Sequence, residues 1–514
     1  MSKRLFITGS MIWLLCFALI LPLTRGIAYN TPTIDHKNEK VQSTIISPSV
    51  LWQTTVPGFV WSFHLFSPPN SSDKQLIVTS EWQITGLNLT NGNVLWNISA
   101  TKEFKNTYPK LIGWDYSHYG STLIDSDKDG VPELWVIAYA VVNATVSNIK
   151  HSDYDNNVSV DVYLFAYDLI SHTTYKRLHI GDIYEGPPLG GKFYNCTNEV
   201  GIVVEWTNIT GTGYTDYIQR LALLDSQTLK IVWEAPPLYG EKWYTYWVYD
   251  LTGDGYDEII ACSRGPLVSS YISIYDGRNF TLLWQTELPK LINSAMYIDP
   301  CDIDFIDLND DGFEDLIVTG DEGGVCAVDG TNGKIVWTQA EYPYYGGYPS
   351  VIADVDNDDV PEVITTFLED VMIFNAITGE IEVYEHLPFY FDSTDIHVTD
   401  LEGDGEKEIV STSFYGGLYI FNRTFGLIKT FDTPGIPGDA LLTDINGDGT
   451  LEIIVGMKGD QSPVVAYNYA VHDDTTDDGS LGPTFIIFIT VFTVNLVLAV
   501  TVIIIYSWKK LKHH

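Results

Sequence analysis

The sequence is poor in basic residues and in cysteine. Of its 514 residues only 28 are Lys or Arg, against 67 Asp or Glu, and the net charge is −39. The sequence has no cluster of Lys and Arg that could bind a row of phosphates. Nucleic acid and anionic membrane surfaces are therefore poor partners. Beyond the N-terminal apolar run only Cys196, Cys262, Cys301 and Cys326 remain. They allow three pairings, which stay open, and a disulfide-dense scaffold is excluded.

Long hydrophobic runs are confined to the two ends. Lys3 and Arg4 precede an apolar run that reaches about Leu23, and the small residues Gly26 and Ala28 follow it. This order is typical of a signal peptide, predicted over residues 1–28, with an uncleaved anchor as the alternative. Residues 29–48 are polar and are expected to form a lead-in segment.

The second apolar run lies near the C-terminus. Residues 484–508 are apolar apart from threonines, Asn495 and the closing Ser507–Trp508 pair, which is long enough for one transmembrane helix. Lysines in the tail, 509–514, place that side in the cytoplasm. The sequence therefore predicts a single-pass type I membrane protein whose acidic linker, 471–483, carries an extracellular domain.

The sequon Asn-x-Ser/Thr recurs along the predicted extracellular part. One copy is weak evidence of glycosylation, but nine copies in an exported domain indicate a glycoprotein. The predicted acceptors are Asn70, Asn88, Asn97, Asn143, Asn157, Asn195, Asn208, Asn279 and Asn422.

One acidic phrase occurs six times and organises the chain. It places Asp, Asn, Glu or Thr at positions 1, 3 and 5, usually glycine at position 6, and an acid at position 9, before a short apolar strand. These loops hold 26 of the 67 acidic residues. The predicted ligands are Asp125, Asp127, Asp129 and Glu133; Asp250, Thr252, Asp254 and Glu258; Asp307, Asn309, Asp311 and Asp315; Asp354, Asp356, Asp358 and Glu362; Asp400, Glu402, Asp404 and Glu408; and Asp444, Asn446, Asp448 and Glu452.

The spacing of the phrase favours a hard cation. Alternate side chains of a curled loop point inward, and an all-oxygen donor set suits Ca²⁺. Glycine at position 6 supplies the positive φ that the turn needs, although Asp359 takes its place in the fourth copy. The alternative is an Asp-Gly hairpin turn without metal. We expect several calcium sites.

The repeats predict an all-β fold. No helical periodicity is visible, and each unit reads as four short strands, with a turn leading into a third strand that often ends in Trp. From Asp250 onward the phrases are 57, 47, 46 and 44 residues apart. Such units are typical of the blades of a β-propeller, here predicted over 49–470.

The blade count depends on two degenerate units. The first two phrases lie 125 residues apart, so one unit is hidden around Tyr194 to Val204, and another precedes them near Asn70 to Thr79. This gives eight blades, with seven as the alternative. The last unit lacks its Trp strand, and Val50–Gln53 resembles the missing piece, which predicts ring closure by the N-terminal strand.

The loop phrase resembles the calcium loops of FG-GAP repeats, the units of the integrin α-subunit propeller. The segments from Gly92 to Trp96 and from Gly333 to Trp337 resemble the tryptophan-docking units of quinoprotein (PQQ-like) propellers. The resemblance implies a calcium-binding propeller but fixes no ligand. No adjacent cysteine pair of the quinoprotein dehydrogenase kind is present, so no quinone cofactor is expected.

Aromatic residues concentrate in the connections between predicted blades. The calcium loops should lie on one face, called the lower face, and these connections on the opposite upper face. Packing between blades is the expected role for most of these rings, and a subset is expected to bind a ligand. The predicted ligand-binding residues are Trp114, Tyr116, Trp243, Tyr244, Tyr344 and Tyr345.

These features together favour a binding protein over an enzyme. We expect a cell-surface adhesion or recognition module whose upper face binds an extracellular protein or glycan. The alternatives are a propeller enzyme acting on polysaccharide and a structural subunit of a surface or membrane complex. The histidines show no nucleophile–base spacing, so no catalytic residue is assigned. Ligand identity, partner subunits and oligomeric state stay open.

Overall fold

Central strands with two apolar faces dominate the structure, because blades pack on both sides of each sheet. The computed structural model describes residues 49–69, 71, 73–108, 113–144, 158–183, 192–195, 200–209, 217–239, 243–264, 269–291, 297–320, 324–340, 349–367, 369–387, 391, 393–459 and 461–469. All of them belong to one unit, Ser43–His514. The predicted signal peptide, lead-in, acidic linker, transmembrane segment and tail all lie outside the described residues.

The described chain forms eight antiparallel sheets, which are the blades of a propeller. Blade 1 contains β2 (Val60–Phe66), β3 (Gln75–Ser80), β4 (Gln83–Asn88) and β5 (Val94–Ile98); blade 2 contains β6 (Gly113–Ile124), β7 (Glu133–Ala144), β8 (Val158–Asp168) and β9 (Thr173–Ile183); blade 3 contains β10 (Lys192–Asn195), β11 (Val200–Ile209), β12 (Tyr217–Asp225), β13 (Ile231–Glu234) and the short β14 (Leu238–Tyr239).

The remaining blades have the same strand order. Blade 4 contains β15 (Trp243–Tyr249), β16 (Glu258–Arg264), β17 (Tyr271–Tyr275) and β18 (Leu282–Glu287); blade 5 contains β19 (Pro300–Ile306), β20 (Asp315–Gly320), β21 (Val325–Val328) and β22 (Ile335–Gln339); blade 6 contains β23 (Ser350–Ala353), β24 (Glu362–Phe367), β25 (Asp370–Asn375) and β26 (Ile381–His386); blade 7 contains β27 (Ser393–Thr399), β28 (Glu408–Ser413), β29 (Leu418–Phe421) and β30 (Leu427–Phe431); blade 8 contains β31 (Ile436–Thr443), β32 (Glu452–Lys458), β33 (Gln461–Asn468) and β1 (Ser49–Pro57).

The ring is closed by the N-terminal strand. β1 pairs antiparallel with β33 from Ser49 opposite Asn468 to Pro57 opposite Gln461, and so supplies the outermost strand of blade 8. The predicted closure and the count of eight are confirmed. The innermost strands contact one another in cyclic order, β2, β6, β10, β15, β19, β23, β27, β31 and back to β2.

The core consists of eight clusters, one at each interface between neighbouring blades. Successive residues of a central strand enter different clusters: Leu76 packs toward blade 8 and Ile77 toward blade 2. This alternation follows from the two-residue period of a strand. Both faces of a central strand are therefore apolar, as in β20, whose six residues are all buried. Outermost strands are more exposed, as in β18.

Tryptophans of three outermost strands dock on the next blade. Trp52 Nε1 donates to Leu89 O at 3.0 Å, Trp284 Nε1 to Gly330 O at 2.8 Å, and Trp337 Nε1 to Ala376 O at 2.8 Å. Each ring covers a glycine of positive φ: Gly92, Gly333 and Gly379. A Cβ on any of these glycines would lie 2.5 Å from the nearest atom of the Trp ring. Glycine is therefore needed at these positions for two reasons: the backbone has positive φ, and a side chain would overlap the Trp ring.

Two features differ from the sequence expectations. A short helix, α1 (Thr101–Thr107), connects blades 1 and 2 and buries Phe104, although no helical periodicity was visible. Cys262, Cys301 and Cys326 form no disulfide with one another, and Cys196 lies outside the described residues. Among the described residues, the structure contains no helix that is long and apolar enough to cross a membrane.

Candidate functional site

The six acidic loops lie at equivalent places in six blades. Each joins the innermost strand to the second strand of blades 2, 4, 5, 6, 7 and 8. Blades 1 and 3, the two degenerate units, lack the phrase. All six loops therefore open on the same face of the ring, the lower face, together with the turns between third and fourth strands.

The position-1 aspartate organises each loop by accepting backbone N–H groups. In the third copy, Asp307 accepts the N–H of Asp311 at 3.2 Å and that of Gly312 at 2.9 Å. In all six copies the position-1 carboxylate accepts the N–H of position 6, and in five it also accepts that of position 5. The Gly312 N–H, first among these bonds, holds the pKa of Asp307 below its usual range.

Two positions in every loop have left-handed backbone. Position 6 has positive φ in all six copies, which confirms the prediction, and Asp359 adopts it at +68° without being glycine. Position 4 is left-handed as well, at +59° in Asp310 and +62° in Asn357. The sequence did not indicate the left-handed backbone at position 4, because three of the six residues there are not glycine.

The position-9 acid is a buried anchor of the loop. One of its carboxylate oxygens accepts the N–H of position 2 in all six copies. Glu258 and Asp315 also accept an N–H from the turn between third and fourth strands, from Gly277 and Gly330. Desolvation raises the pKa of Glu258, Glu362 and Glu408 to about 7. The acid therefore fastens the loop to its blade, whatever else it binds.

Three carboxylates converge in two of the loops. Carboxylate oxygens of Asp125, Asp127 and Asp129 lie within 4.8 Å of one another, as do those of Asp354, Asp356 and Glu362. In the second copy Thr252 contributes a buried hydroxyl that has no hydrogen-bond partner among the described residues. An unsatisfied buried oxygen is costly, so its presence at position 3 fits a cation ligand.

The predicted glycosylation sites fall into three groups. Asn88, Asn279 and Asn422 lie in lower-face turns, where each side-chain oxygen accepts a backbone N–H. Asn97 is exposed on β5. Asn70 and Asn157 lie outside the described residues, and Asn143, Asn195 and Asn208 lie in strands whose side chains are not described there.

The predicted ligand-binding aromatics are only partly described. Tyr116 is 1% exposed and its hydroxyl lies 2.9 Å from that of Tyr167, in the core between blades 1 and 2. It packs between blades, as the packing alternative expects, and its assignment as a ligand residue is wrong. Trp114 lies in β6, and Trp243 and Tyr244 lie in β15, with side chains that are not described; Tyr344 and Tyr345 lie outside the described residues.

Other aromatics are exposed on the upper face. Trp82 is 37% exposed in the turn between the second and third strands of blade 1. Phe414 is 48% and Tyr415 59% exposed in the equivalent turn of blade 7. The sequence pattern placed the aromatic clusters in the connections between blades and did not indicate these turns. The adjacent pair Phe414–Tyr415 followed by two glycines was the available signal, since such a short turn cannot bury both rings.

A histidine–serine contact lies on the innermost strands of blades 1 and 2. His64 Nε2 is 2.8 Å from Ser121 Oγ, which also contacts Ser62 at 2.7 Å and Thr79 at 2.9 Å. Desolvation lowers the pKa of His64 to about 4. So weak a base, on a hydroxyl already shared among three groups, is poorly suited to activating a nucleophile.

Comparisons with known proteins support the fold alone. No family model and no curated protein sequence matches the chain. Among solved structures, Saccharomyces cerevisiae Sqt1 aligns with a TM-score of 0.51 at 10% identity, covering 82% of this chain and 100% of that one. The C-terminal WD40 domain of Sif2 has a TM-score of 0.47 at 10% identity, covering 83% and 100%. BamB from Moraxella catarrhalis has a TM-score of 0.45 at 14% identity, covering 83% and 100%.

Proposed function

We propose that the chain is a type I cell-surface protein whose calcium-stabilised propeller binds an extracellular protein or glycan through its upper face. The observation that carries the proposal is the difference between the two faces. All six acidic loops open on the lower face, whereas Trp82, Phe414 and Tyr415 are exposed on the upper face. One face then serves stability and the other recognition.

Calcium would be held by side chains at positions 1, 3 and 5 of the loops, with position 9 anchoring each loop. Bound Ca²⁺ supplies positive charge to a lower face that otherwise concentrates carboxylates. The chain's own residues preset the loop through backbone bonds to the position-1 aspartate, so little conformational entropy is lost on binding. Extracellular sites of this kind need about 10⁻⁴–10⁻³ M metal.

The membrane part of the proposal rests on sequence. Residues 484–508 and the following lysines indicate one spanning helix with a cytoplasmic tail. β33 runs from the upper toward the lower face, so the described chain ends on the lower side. A linker leading from there to the membrane would turn the calcium loops toward the cell and the upper face outward.

A binding screen tests the recognition role. Purified full-length protein in Ca²⁺-containing buffer would be applied to arrays of glycans and cell-surface proteins. We expect at least one ligand, whose binding is lost in a Phe414→Ala/Tyr415→Ala variant. Phe313→Ala, which removes a 38% exposed ring from a lower-face loop, is the matched control and should bind normally. Equal binding by both variants would contradict an upper-face site.

The enzyme alternative receives no support from the described residues. The His64–Ser121 contact is the Ser–His pair found there, and its shared hydrogen bonds and lowered pKa disfavour catalysis. A binding protein accounts better for exposed aromatic rings on a turn.

A further inference from the structure

Three innermost strands carry an aspartate at the same place. Asp302, Asp395 and Asp439 each lie five residues before the first aspartate of an acidic loop, in blades 5, 7 and 8. Equivalent places in the repeats lie at about the same height along the ring axis, toward its upper end. The three carboxylates are therefore directly comparable.

Two of these aspartates join neighbouring blades. Asp302 Oδ2 accepts the backbone N–H of Ser350 in blade 6 at 3.2 Å. Asp395 Oδ2 accepts that of Ala440 in blade 8 at 2.8 Å and also contacts His397 Nε2 at 2.9 Å. Each carboxylate thus satisfies an N–H of the adjacent innermost strand. These hydrogen bonds give Asp302 and Asp395 a structural role, which is to hold neighbouring blades together.

Asp439 does not share this role. Gly438 and Asp439 form a β-bulge opposite Gly456, between the paired residues Pro437 and Ala440. Bulges re-aim side chains and often border functional sites. The Asp439 carboxylate is exposed and makes no hydrogen bond among the described residues. Asp439 is therefore the one of the three aspartates that does not hydrogen-bond to a neighbouring blade among the described residues.

Lys458 acts on this carboxylate and in turn contacts an aromatic ring of blade 7. The charges that act on Asp439 are those of Asp395, His397 and Lys458. Lys458 lies on the paired strand β32, opposite Ile436, and its Cε is 3.6 Å from the place of a Cβ on Gly438. Its Nζ lies 5.3 Å from the centre of the Phe414 ring. Phe414 meets Tyr415 edge-on, with ring centres 6.2 Å apart. We call Phe414, Tyr415, Asp439 and Lys458 the upper-mouth patch.

We propose that the upper-mouth patch binds a basic side chain, Arg or Lys, that a protein partner presents to the upper face. The inference rests on the proposed upper-face function and names the class of ligand. A carboxylate without a hydrogen bond supplies the counter-charge, and aromatic faces attract cations. Lys458 already places an ammonium group on Phe414, so this ring face holds a cation, and the partner's Arg or Lys would displace it. The net charge of −39 would steer basic partners toward it.

The charge state of Asp439 adds a pH dependence. Although the Asp439 side chain is exposed, it is closely surrounded by protein, and desolvation followed by repulsion from Asp395 raises its pKa to about 7. The hydrogen bond to Asp395 raises the pKa of His397 against the opposing effect of burial. Acidification from pH 8 to pH 6 would neutralise Asp439 and favour the charged form of His397. Both changes weaken the binding of a cation.

A fluorescent peptide provides the test. A labelled pentapeptide with two arginines would be titrated with full-length protein, beside the same peptide with citrulline, which keeps the shape and removes the charge. We expect the arginine peptide alone to bind. Asp439→Asn should weaken its binding about 10-fold or more, and lowering the pH from 8 to 6 should weaken it in the wild type more than in this variant.

The control removes an equal charge elsewhere on the upper side. Glu287 is exposed at the upper end of β18, in blade 4, and Glu287→Gln should bind the peptide normally. Equal loss in both variants, or equal binding of the citrulline peptide, would overturn the proposal. Glycan binding that depends on Phe414 and Tyr415 but not on Asp439 would also overturn it, while leaving the upper-face function standing.

Discussion

At the scale of single residues, position 6 of the acidic loops shows how backbone conformation limits the sequence. Gly312 has φ of +86°, and a Cβ placed on it would meet nothing within 4 Å. Any penalty for a side chain there must come from the backbone alone. Asp359 tolerates the same region at +68°, in line with the greater tolerance of Asp for left-handed backbone.

Gly312→Ala should lower the free energy of unfolding by about 1–2 kcal/mol, because an L-residue is strained at positive φ. Urea unfolding in the presence of a chelator would measure this change without a contribution from metal. Asp359→Gly is the reverse change at the equivalent position and should not destabilise the protein. No effect of Gly312→Ala would show that the loop is not held in the left-handed conformation.

The sequence predicted these loop residues well and the upper-face residues poorly. The glycine and the acids recur six times, so their spacing revealed the turn, and the calcium donor set stays a prediction. Tyr116 belongs to no repeated motif, and the aspartate at the place of Asp439 recurs in only two other blades, where it makes different hydrogen bonds. Whether a ring packs between blades, or a carboxylate is left without a hydrogen bond, depends on neighbouring blades that local sequence does not specify.

At the scale of elements, the outermost strand of one blade and a turn of the next form the joint between blades. In blades 4 and 5, Trp284 covers Gly333, and Thr286 Oγ1 donates to Gly333 O at 2.5 Å. A Cβ on Gly333 would lie 2.4 Å from Thr286 Oγ1 and 2.5 Å from the Trp284 ring. This glycine is limited by its neighbours as well as by its φ of +73°.

Gly333→Ala should therefore cost about 1–3 kcal/mol more than Gly312→Ala, the extra amount being the overpacking penalty. Both glycines lie in blade 5, so the comparison separates the docking contact from backbone strain. In a double-mutant cycle with Trp284→Ala, the two changes should be non-additive, because the smaller side chain relieves the overlap. Additive free energies would contradict a direct contact between Trp284 and residue 333.

The helix α1 marks the limit of prediction at this scale. Seven residues, Thr101–Thr107, are too few to show a helical period. The strands, in contrast, recur in every blade, so even the degenerate blades 1 and 3 could be placed from the spacing of their neighbours.

At the scale of the whole molecule, closure of the ring joins the two ends of the described chain. β1 covers the edge of β33, and Trp52, 7% exposed, docks on Leu89 of blade 1. One N-terminal strand thus completes blade 8 and its interface with blade 1. An open ring would leave an unpaired strand edge, which favours association between chains.

Trp52→Ala should destabilise the protein by about 3–5 kcal/mol, the range for a buried Trp. Because closure is lost together with packing, we also expect concentration-dependent association in sedimentation velocity. Trp82→Ala, which removes an exposed Trp from a neighbouring turn, is the control and should change neither property. A stable monomer after Trp52→Ala would mean that blade 8 does not depend on this contact.

Calcium binding by the six acidic loops is the central claim, and it unites the charge of the chain, its repeats and the division between faces. Scanning calorimetry of the full-length protein with millimolar Ca²⁺ and with excess chelator tests it most directly. At free metal about ten times the dissociation constant, each occupied site adds about 1.4 kcal/mol. We predict a clearly higher unfolding temperature in calcium; identical unfolding curves would contradict the account.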